Sequence, residues 1–481
     1  MKFVSLGNPE DVVSFEEALR RGIPADGSLY FPVAIPRLTD EQIASLPTLD
    51  TKAIDRLILS AWLGDEIPAE DLAHIVDTAA SFETPCVPVA DKHVLEIFHG
   101  PTMAFKDVAA RYLAALMGYF NAKTGRTSTV LVATSGDTGG AIAHGFGGVA
   151  GTRVVVLYPK GRVSQLQQEQ LRRVADNVHT LEVDGDFDAC QALVKQALGD
   201  KELVDAVGLT SANSITVGRL LPQTLYYARA FAQLGGRKDL RFVVPSGNLG
   251  NITGGVLAQQ MGIPIASFFA ANNANNAIDR YAREGSFTPF EAVPTMSNAM
   301  DIGAPNNLPR LQRIFGQDIS AFRADIQTAQ VSDEDTVATI KKVYEATGYL
   351  LDPHTAVAWY ASENNPGEGV HDVIVSTAAP EKFAEEITAA TGIAVDNTAE
   401  LSKLRSITER YTEISNSLDE LRSFIIHNSL HHGPPNKPSP THSYRRYGPQ
   451  WCRQDNLSAM LARQSLVSLQ CRLSYMDTLP W

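Results

Sequence analysis

Cysteine is scarce: Cys86, Cys190, Cys452 and Cys471 are the four in 481 residues, widely spread and without a CxxC pair. That argues against a disulfide-stapled scaffold and a structural zinc site. Long apolar runs are missing too. No stretch reaches the roughly 18 residues of a membrane span, and the opening MKFVSLGNPEDVVSFEEALRRG has no apolar signal-peptide core. The expected location is cytoplasmic, with no membrane partner. Positive charge is in deficit, with 41 Lys and Arg against 54 Asp and Glu, a net −13 and a pI near 5.4. A nucleic-acid partner is therefore not expected, because such binding draws on a basic surface. The nucleotide signatures GxGxxG and GxxxxGK[ST] are absent from the Gly-rich turns described below.

What is present is an ordinary globular composition, 44% hydrophobic and 20% charged, long enough for about three domains. Residues 1–92 read as a small N-terminal segment, mostly helical. Ser14 and Glu17 suggest a capping box, Gly22 and Pro24 a stop, and Gly27 to Pro32 a turn and short strand. From 93 to 390, β-branched runs at 129–134, 153–159, 179–183, 241–245, 266–271 and 372–377 alternate with helical periodicity near 107–120, 138–147, 164–175, 187–199, 214–234, 252–261, 333–347 and 354–364. That alternation predicts an α/β fold with parallel sheets flanked by helices. Ser332 with Asp335 predicts the start of one helix, and Gly348 its end. Residues 391–427 read as a helical segment. Residues 428–481 differ in kind: six Lys and Arg against two Asp give +4 where the preceding chain carries −17, and Pro434, Pro435, Pro438 and Pro440 resist regular structure. We read them as a low-order basic tail with an amphipathic stretch at 457–469. The spacings of His427, His431, His432, His442 and Cys452 match no zinc template.

Three stretches carry chemistry. In FHGPTMAFKD (98–107), Lys106 heads a helix beside Met103, Ala104 and Phe105. A helix N-terminus and apolar neighbours both depress an amine's pKa, and a neutral amine can condense with an aldehyde. In ATSGDTGGAIAHGF (133–146), the hydroxyls of Thr134, Ser135 and Thr138 and the free N–H groups of a first helical turn could cradle an anion. Asp137 there could contact a cofactor hydroxyl or a substrate amine, or simply cap the helix. In VVPSGNLGNITGG (243–255), Ser246 to Asn251 present backbone donors with little bulk, as a phosphate monoester requires. A lysine for an aldehyde and a loop for a phosphate are together what pyridoxal 5'-phosphate needs.

These stretches, with DGDFDACQALVKQA, SANSITVGRLLPQ, SNAMDIGAPNN and STAAPEKF in the same order, resemble the threonine synthases, a family of fold type II pyridoxal-phosphate enzymes similar to tryptophan synthase β. The likeness runs from Met1 to about Ala390. It implies that Lys106 is the Schiff-base lysine, with Phe105 beside the ring. Gly247, Asn248, Leu249 and Asn251 would hold the cofactor phosphate, and Thr377 would face the pyridine nitrogen. Ser135, Asp137, Thr138, Arg162, Ser164, Asn213 and Arg219 would bind substrate. The implied reaction converts O-phosphohomoserine and water to threonine and phosphate by γ-elimination and β-hydration. Leu249 replaces a frequent phenylalanine, and Ala379 a frequent histidine. Two alternatives stand at this point: another lyase of the same fold, such as a threonine or serine dehydratase or an amino-alcohol phospho-lyase, and a non-catalytic cofactor-binding regulator. His99, His354, Trp62 and Trp359 read as structural, and Asn272, Asn273, Asn275 and Asn276 as a polar loop.

Overall fold

Runs of Val, Ile, Leu and Phe bounded by glycine turns give strands buried on both faces, and such strands need helices above and below. The computed structural model describes residues 1–316 and 319–431. All six sequence-predicted strands form, within a residue or so of expectation. The chain order is β1 (Lys2–Ser5), β2 (Val12–Ser14), β3 (Tyr30–Pro32), β4 (Cys86–Val89), β5 (Lys92–Glu96), β6 (Ser128–Ala133) and β7 (Thr152–Pro159), then β8 (Val178–Val183), β9 (Leu209–Ser211), β10 (Leu240–Pro245), β11 (Ser267–Asn272), β12 (Ile326–Gln330), β13 (His371–Ser376) and β14 (Thr412–Ile414).

Two largely parallel sheets dominate. One has the order β12-β11-β10-β13-β5-β4, parallel except for the β4–β5 edge pair, and the other is β14-β8-β7-β6-β9, parallel throughout. In the first, Val243 of β10 lies opposite Ile374 of β13, and Ser376 of β13 opposite Glu96 of β5. That register brings the C-terminal ends of three neighbouring strands to one edge, the usual place for a ligand in parallel α/β sheets.

The N-terminal segment is less helical than its sequence suggests, because β1, β2 and β3 form an antiparallel sheet under its helices. Ser14 caps the helix Phe15–Arg21 through the N–H of Glu17, and Gly22 ends it at φ 73°. The reciprocal arm of a capping box is not made, because the Glu17 carboxylate is held by Arg20 and Arg21. The predicted 214–234 helix is two, Val217–Leu220 and Gln223–Gln233, since Pro222 between them lacks an N–H to continue the ladder. The C-terminal segment contributes β14 beside β8 as well as helices, and its last helix, Leu418–His431, passes the expected tail boundary at 428. The remainder of the tail, from 432, lies outside the described residues. Among the described residues no helix is long and apolar enough to cross a membrane, and no cluster of ligands fit for a metal occurs.

Candidate active site

Lys106 is the first residue of the helix Lys106–Thr124, and the loop that delivers it from β5 is braced on two sides. Inside the loop, the N–H and hydroxyl of Thr102 donate to the Asp107 carboxylate at 2.8 and 2.7 Å. A Cβ at Gly100 would lie 2.5 Å from Asp107 Cβ, so this close approach requires glycine. Burial raises the Asp107 carboxyl above its usual range despite the Thr102 donors and the nearby Lys382 and Arg111 charges. On the other side the loop is stitched to the exit of β13: Phe105 N–H donates to Thr377 O at 2.8 Å and Ala379 N–H to Met103 O at 3.1 Å, with Ala104 bridged to Ala378. Met103 takes φ 56°, which turns the chain into the helix.

The Lys106 side chain is 14% exposed, and its Nζ donates to Asp137 Oδ2 at 3.2 Å. Burial depresses its pKa, and the Lys382 and Arg219 charges add to that against the opposing pull of Asp137. Asp137 follows β6, at the first position of the helix Asp137–Phe146, and does not cap it. Its Oδ1 accepts from Lys382 Nζ and from Gln167 Nε2, both at 2.9 Å. Burial alone would raise the Asp137 carboxyl, but the two lysines outweigh it and hold it far below the carboxylate range.

The loop after β10 is the second component. Leu249 sits at φ 62°, ψ 7° and is buried, and the helix Gly250–Gln260 begins immediately after it. A Cβ on Gly247 would stand 2.8 Å from Met300 Cα, so glycine lets the 297–302 segment press against this loop. Asn248 O receives the N–H and side-chain amide of Asn307, and Asn248 Oδ1 the N–H of Asn306. The N–H groups of Gly247 to Asn251 find no acceptor among the described residues. Asn251 Oδ1 accepts from both Tyr226 and Tyr227, while its buried Nδ2 has no partner. Such an orphan donor beside unpaired N–H groups fits an anion.

The remaining candidates divide. Arg219 is buried, with one nitrogen on Ala212 O at 2.8 Å, an unpartnered Nε and no ion pair among the described residues, and desolvation lowers its pKa to about 10. Asn213 ties strand ends, donating to Ala133 O and accepting from Ser211. Ser164 forms a capping box with Gln167, whose amide then reaches Asp137. Thr138 is half-buried, whereas Ser135 and Arg162 are exposed. Thr134 Oγ1 already accepts the N–H groups of Gly136 and Gly139, so two of the donors expected for an anion cradle are spent. His354 is engaged on both nitrogens, with Asp352 and with Ala299 N–H, and Trp62 and Trp359 are buried. Asn273 and Asn275 clamp the 293–301 segment through Asp301, Thr295 and Val293 O. Sequence reasoning missed Lys382, Gln167 and Gln170. Lys382 lies in STAAPEKF but follows Glu381, as a solvated lysine would.

Residues 84–378 match the family model for pyridoxal-phosphate dependent enzymes, residues 2–80 that for the threonine synthase N terminus, and residues 355–425 that for the threonine synthase C-terminal region. The threonine synthase of Serratia marcescens is 40% identical over 429 residues, 89% of this chain and 99% of the relative. The chain belongs to the threonine synthases. It is thus a pyridoxal-phosphate-dependent lyase of fold type II. The crystal structure of the Escherichia coli threonine synthase is similar with a TM-score of 0.81 at 39% identity, covering 89% of this chain and all of that one. The pyridoxal-phosphate-bound threonine synthase of Brucella melitensis gives 0.85 at 36%, with the same coverage. The residues present here fit that cofactor: a buried lysine of lowered pKa, a donor loop with an orphan amide, and a hydroxyl residue, Thr377, at the adjoining strand end.

Proposed function

We propose that this threonine synthase converts O-phosphohomoserine and water to threonine and inorganic phosphate, with Lys106 as its covalent and proton-transferring residue. The observation that carries the reading is the meeting of Lys106, the 247–251 loop and Thr377 at one sheet edge, with Arg219 buried and without an ion pair among the described residues. Pyridoxal phosphate, when bound, supplies an aldehyde for amines and a ring that withdraws electrons from the bonds at the substrate's Cα.

Lys106 would hold the cofactor through its aldehyde, and its amine is placed to take the substrate's Cα proton and to carry protons at Cβ and Cγ. Gly247, Asn248, Leu249 and Asn251 would hold the cofactor phosphate through main-chain N–H groups and the unpartnered Asn251 amide. Phe105, whose ring centroid lies 5.6 Å from Lys106 Nζ, would border the cofactor. Thr377 would offer a hydroxyl to the cofactor ring, and a hydroxyl, unlike a carboxylate, would not keep the ring nitrogen protonated, which favours elimination over transamination. Asp137 orients the Lys106 amine through its Oδ2. Arg219, with Asn213, Thr138, Ser135, Ser164 and Arg162, receives the substrate and its phosphate, the guanidinium being suited to a planar pair of oxygens.

Two measurements test the reading. Borohydride reduction of the loaded protein followed by peptide mapping should label Lys106, and a phosphate-release assay should respond to O-phosphohomoserine. Label on any other lysine, or no phosphate released by a protein loaded at Lys106, overturns it.

A further inference from the structure

Two lysines share one carboxylate at this site, and their surroundings are unequal. Lys382 Nζ is fully buried and meets three acceptors, Asp137 Oδ1 at 2.9 Å, Thr102 O at 2.8 Å and Gln170 Oε1 at 3.3 Å. An ammonium has three N–H donors and no lone pair. All three are used here, and a deprotonated Lys382 would turn a lone pair toward an acceptor oxygen. Lys106, in contrast, has one acceptor, Asp137 Oδ2 at 3.2 Å, and keeps 14% exposure. The Asp137 carboxylate compensates one cation, and Arg219 adds a third positive charge with no ion pair among the described residues, Asp107 acting on it only at longer range. Other ionisable groups facing the cluster are Asp107 and Arg111 on the Lys106 helix, His144 on the Asp137 helix and Tyr226 near Arg219.

We propose that Lys382 is a positioning residue that sets the charge state of the site: it spends its three N–H donors on Asp137, Thr102 and Gln170 and so claims one oxygen of Asp137, leaving Lys106 to work as the neutral amine. Condensation of that amine with an aldehyde forms a carbon–nitrogen double bond and releases one water, and it begins only when the nitrogen lone pair is free. A lysine left alone with Asp137 would hold its proton more tightly. The direction of the Lys106 shift, to which the Lys382 charge contributes, agrees. Thr102 extends the arrangement, since its carbonyl fixes Lys382 while its N–H and hydroxyl fix Asp107, the neighbour of Lys106.

The inference rests on the assignment of Lys106 above, and the experiment separates the two. Protein stripped of cofactor is mixed with pyridoxal phosphate across a pH series, and uptake is followed by absorbance and located by borohydride reduction and peptide mapping. In Lys382→Met the pH midpoint for uptake on Lys106 should rise by about one unit, which slows uptake at neutral pH about tenfold. Lys382→Arg, which keeps a cation, should recover part of the shift. A loss of uptake equal at every pH, with the midpoint unmoved, is what a purely structural lysine would give, and it overturns the proposal. Should both variants fail to fold, competitive acylation of wild-type protein decides. Lys106 should react with a midpoint below that of an ordinary lysine, and an ordinary midpoint overturns the proposal. Wild-type protein that takes up no cofactor on Lys106 instead removes the underlying assignment, and this inference with it.

Discussion

The backbone N–H of Phe105 donates to the carbonyl of Thr377 at 2.8 Å, although 272 positions separate them in the chain. Beyond the last register pair of β5 with β13, Ser376 with Glu96, this bond and the antiparallel bridge of Ala104 to Ala378 hold the loop before Lys106 against the exit of β13, so the residue before Lys106 and the hydroxyl residue at the strand end share one frame. The side chains at both positions can change while this frame persists, because it is made of main chain.

That frame can be weakened at one bond. Ala379 has φ −76°, which proline tolerates, yet its N–H donates to Met103 O. Ala379→Pro should remove the donor without distorting the turn, at a cost of about 1 kcal/mol. The expected result is weaker pyridoxal phosphate binding in a cofactor titration, with an unchanged far-ultraviolet circular dichroism spectrum.

Arg219→Ala should raise KM for a phosphorylated substrate at least tenfold, on the order of 1.4 kcal/mol or more for a charge-assisted bond. Cofactor incorporation on Lys106 should stay near the wild-type level. Steady-state phosphate release and borohydride mapping read the two effects independently. An unchanged KM would place the substrate phosphate elsewhere.

Asp55 binds the N-terminal segment to the catalytic region. Buried on one helix, it accepts from Arg229 Nε at 2.8 Å and also from Arg229 Nη2 and the Tyr112 hydroxyl. Asp55→Asn leaves the Arg229 guanidinium without its counter-charge, with an expected loss of roughly 3 kcal/mol. A lowered urea midpoint would report it.

His144 gives the protein an acid limit. Burial drives its pKa down to about 4 from 6.5, helped by the Lys382, Lys403 and Arg111 charges and opposed by its bond to Gln170 O. The folded state therefore refuses a proton that the unfolded chain accepts, so the contribution is complete above about pH 6.5 and lost as the pH falls toward 4. It amounts to at most about 3 kcal/mol over that window. His144→Gln should flatten the corresponding part of a stability-against-pH curve, measured by thermal unfolding.

The edge strands show where the sequence was hard to read. β12, IQTAQ, is half-exposed and rich in glutamine, and β9 and β14 have three residues each, too few for a period to register. The interior strands are nearly uninterrupted apolar runs, buried on both faces, and these were legible. Lys106 and the 247–251 loop were equally legible, because a strand end, a glycine turn and a helix start follow one another locally in the chain.

Local pattern thus determined the parallel α/β architecture, the helix-head lysine and the glycine-rich turn, since strand burial, capping and turn formation depend on residues a few positions apart. Only the tertiary structure decided that Lys382 faces Thr102 and Asp137 rather than water, that Asn251 Nδ2 and Arg219 Nε are buried without partners, and that Ser135 and Arg162 are exposed. The physical reason is that desolvation and charge pairing belong to the packed state. A lysine carries the same letter whether it is hydrated or sealed beside a carboxylate from a strand end 245 positions earlier.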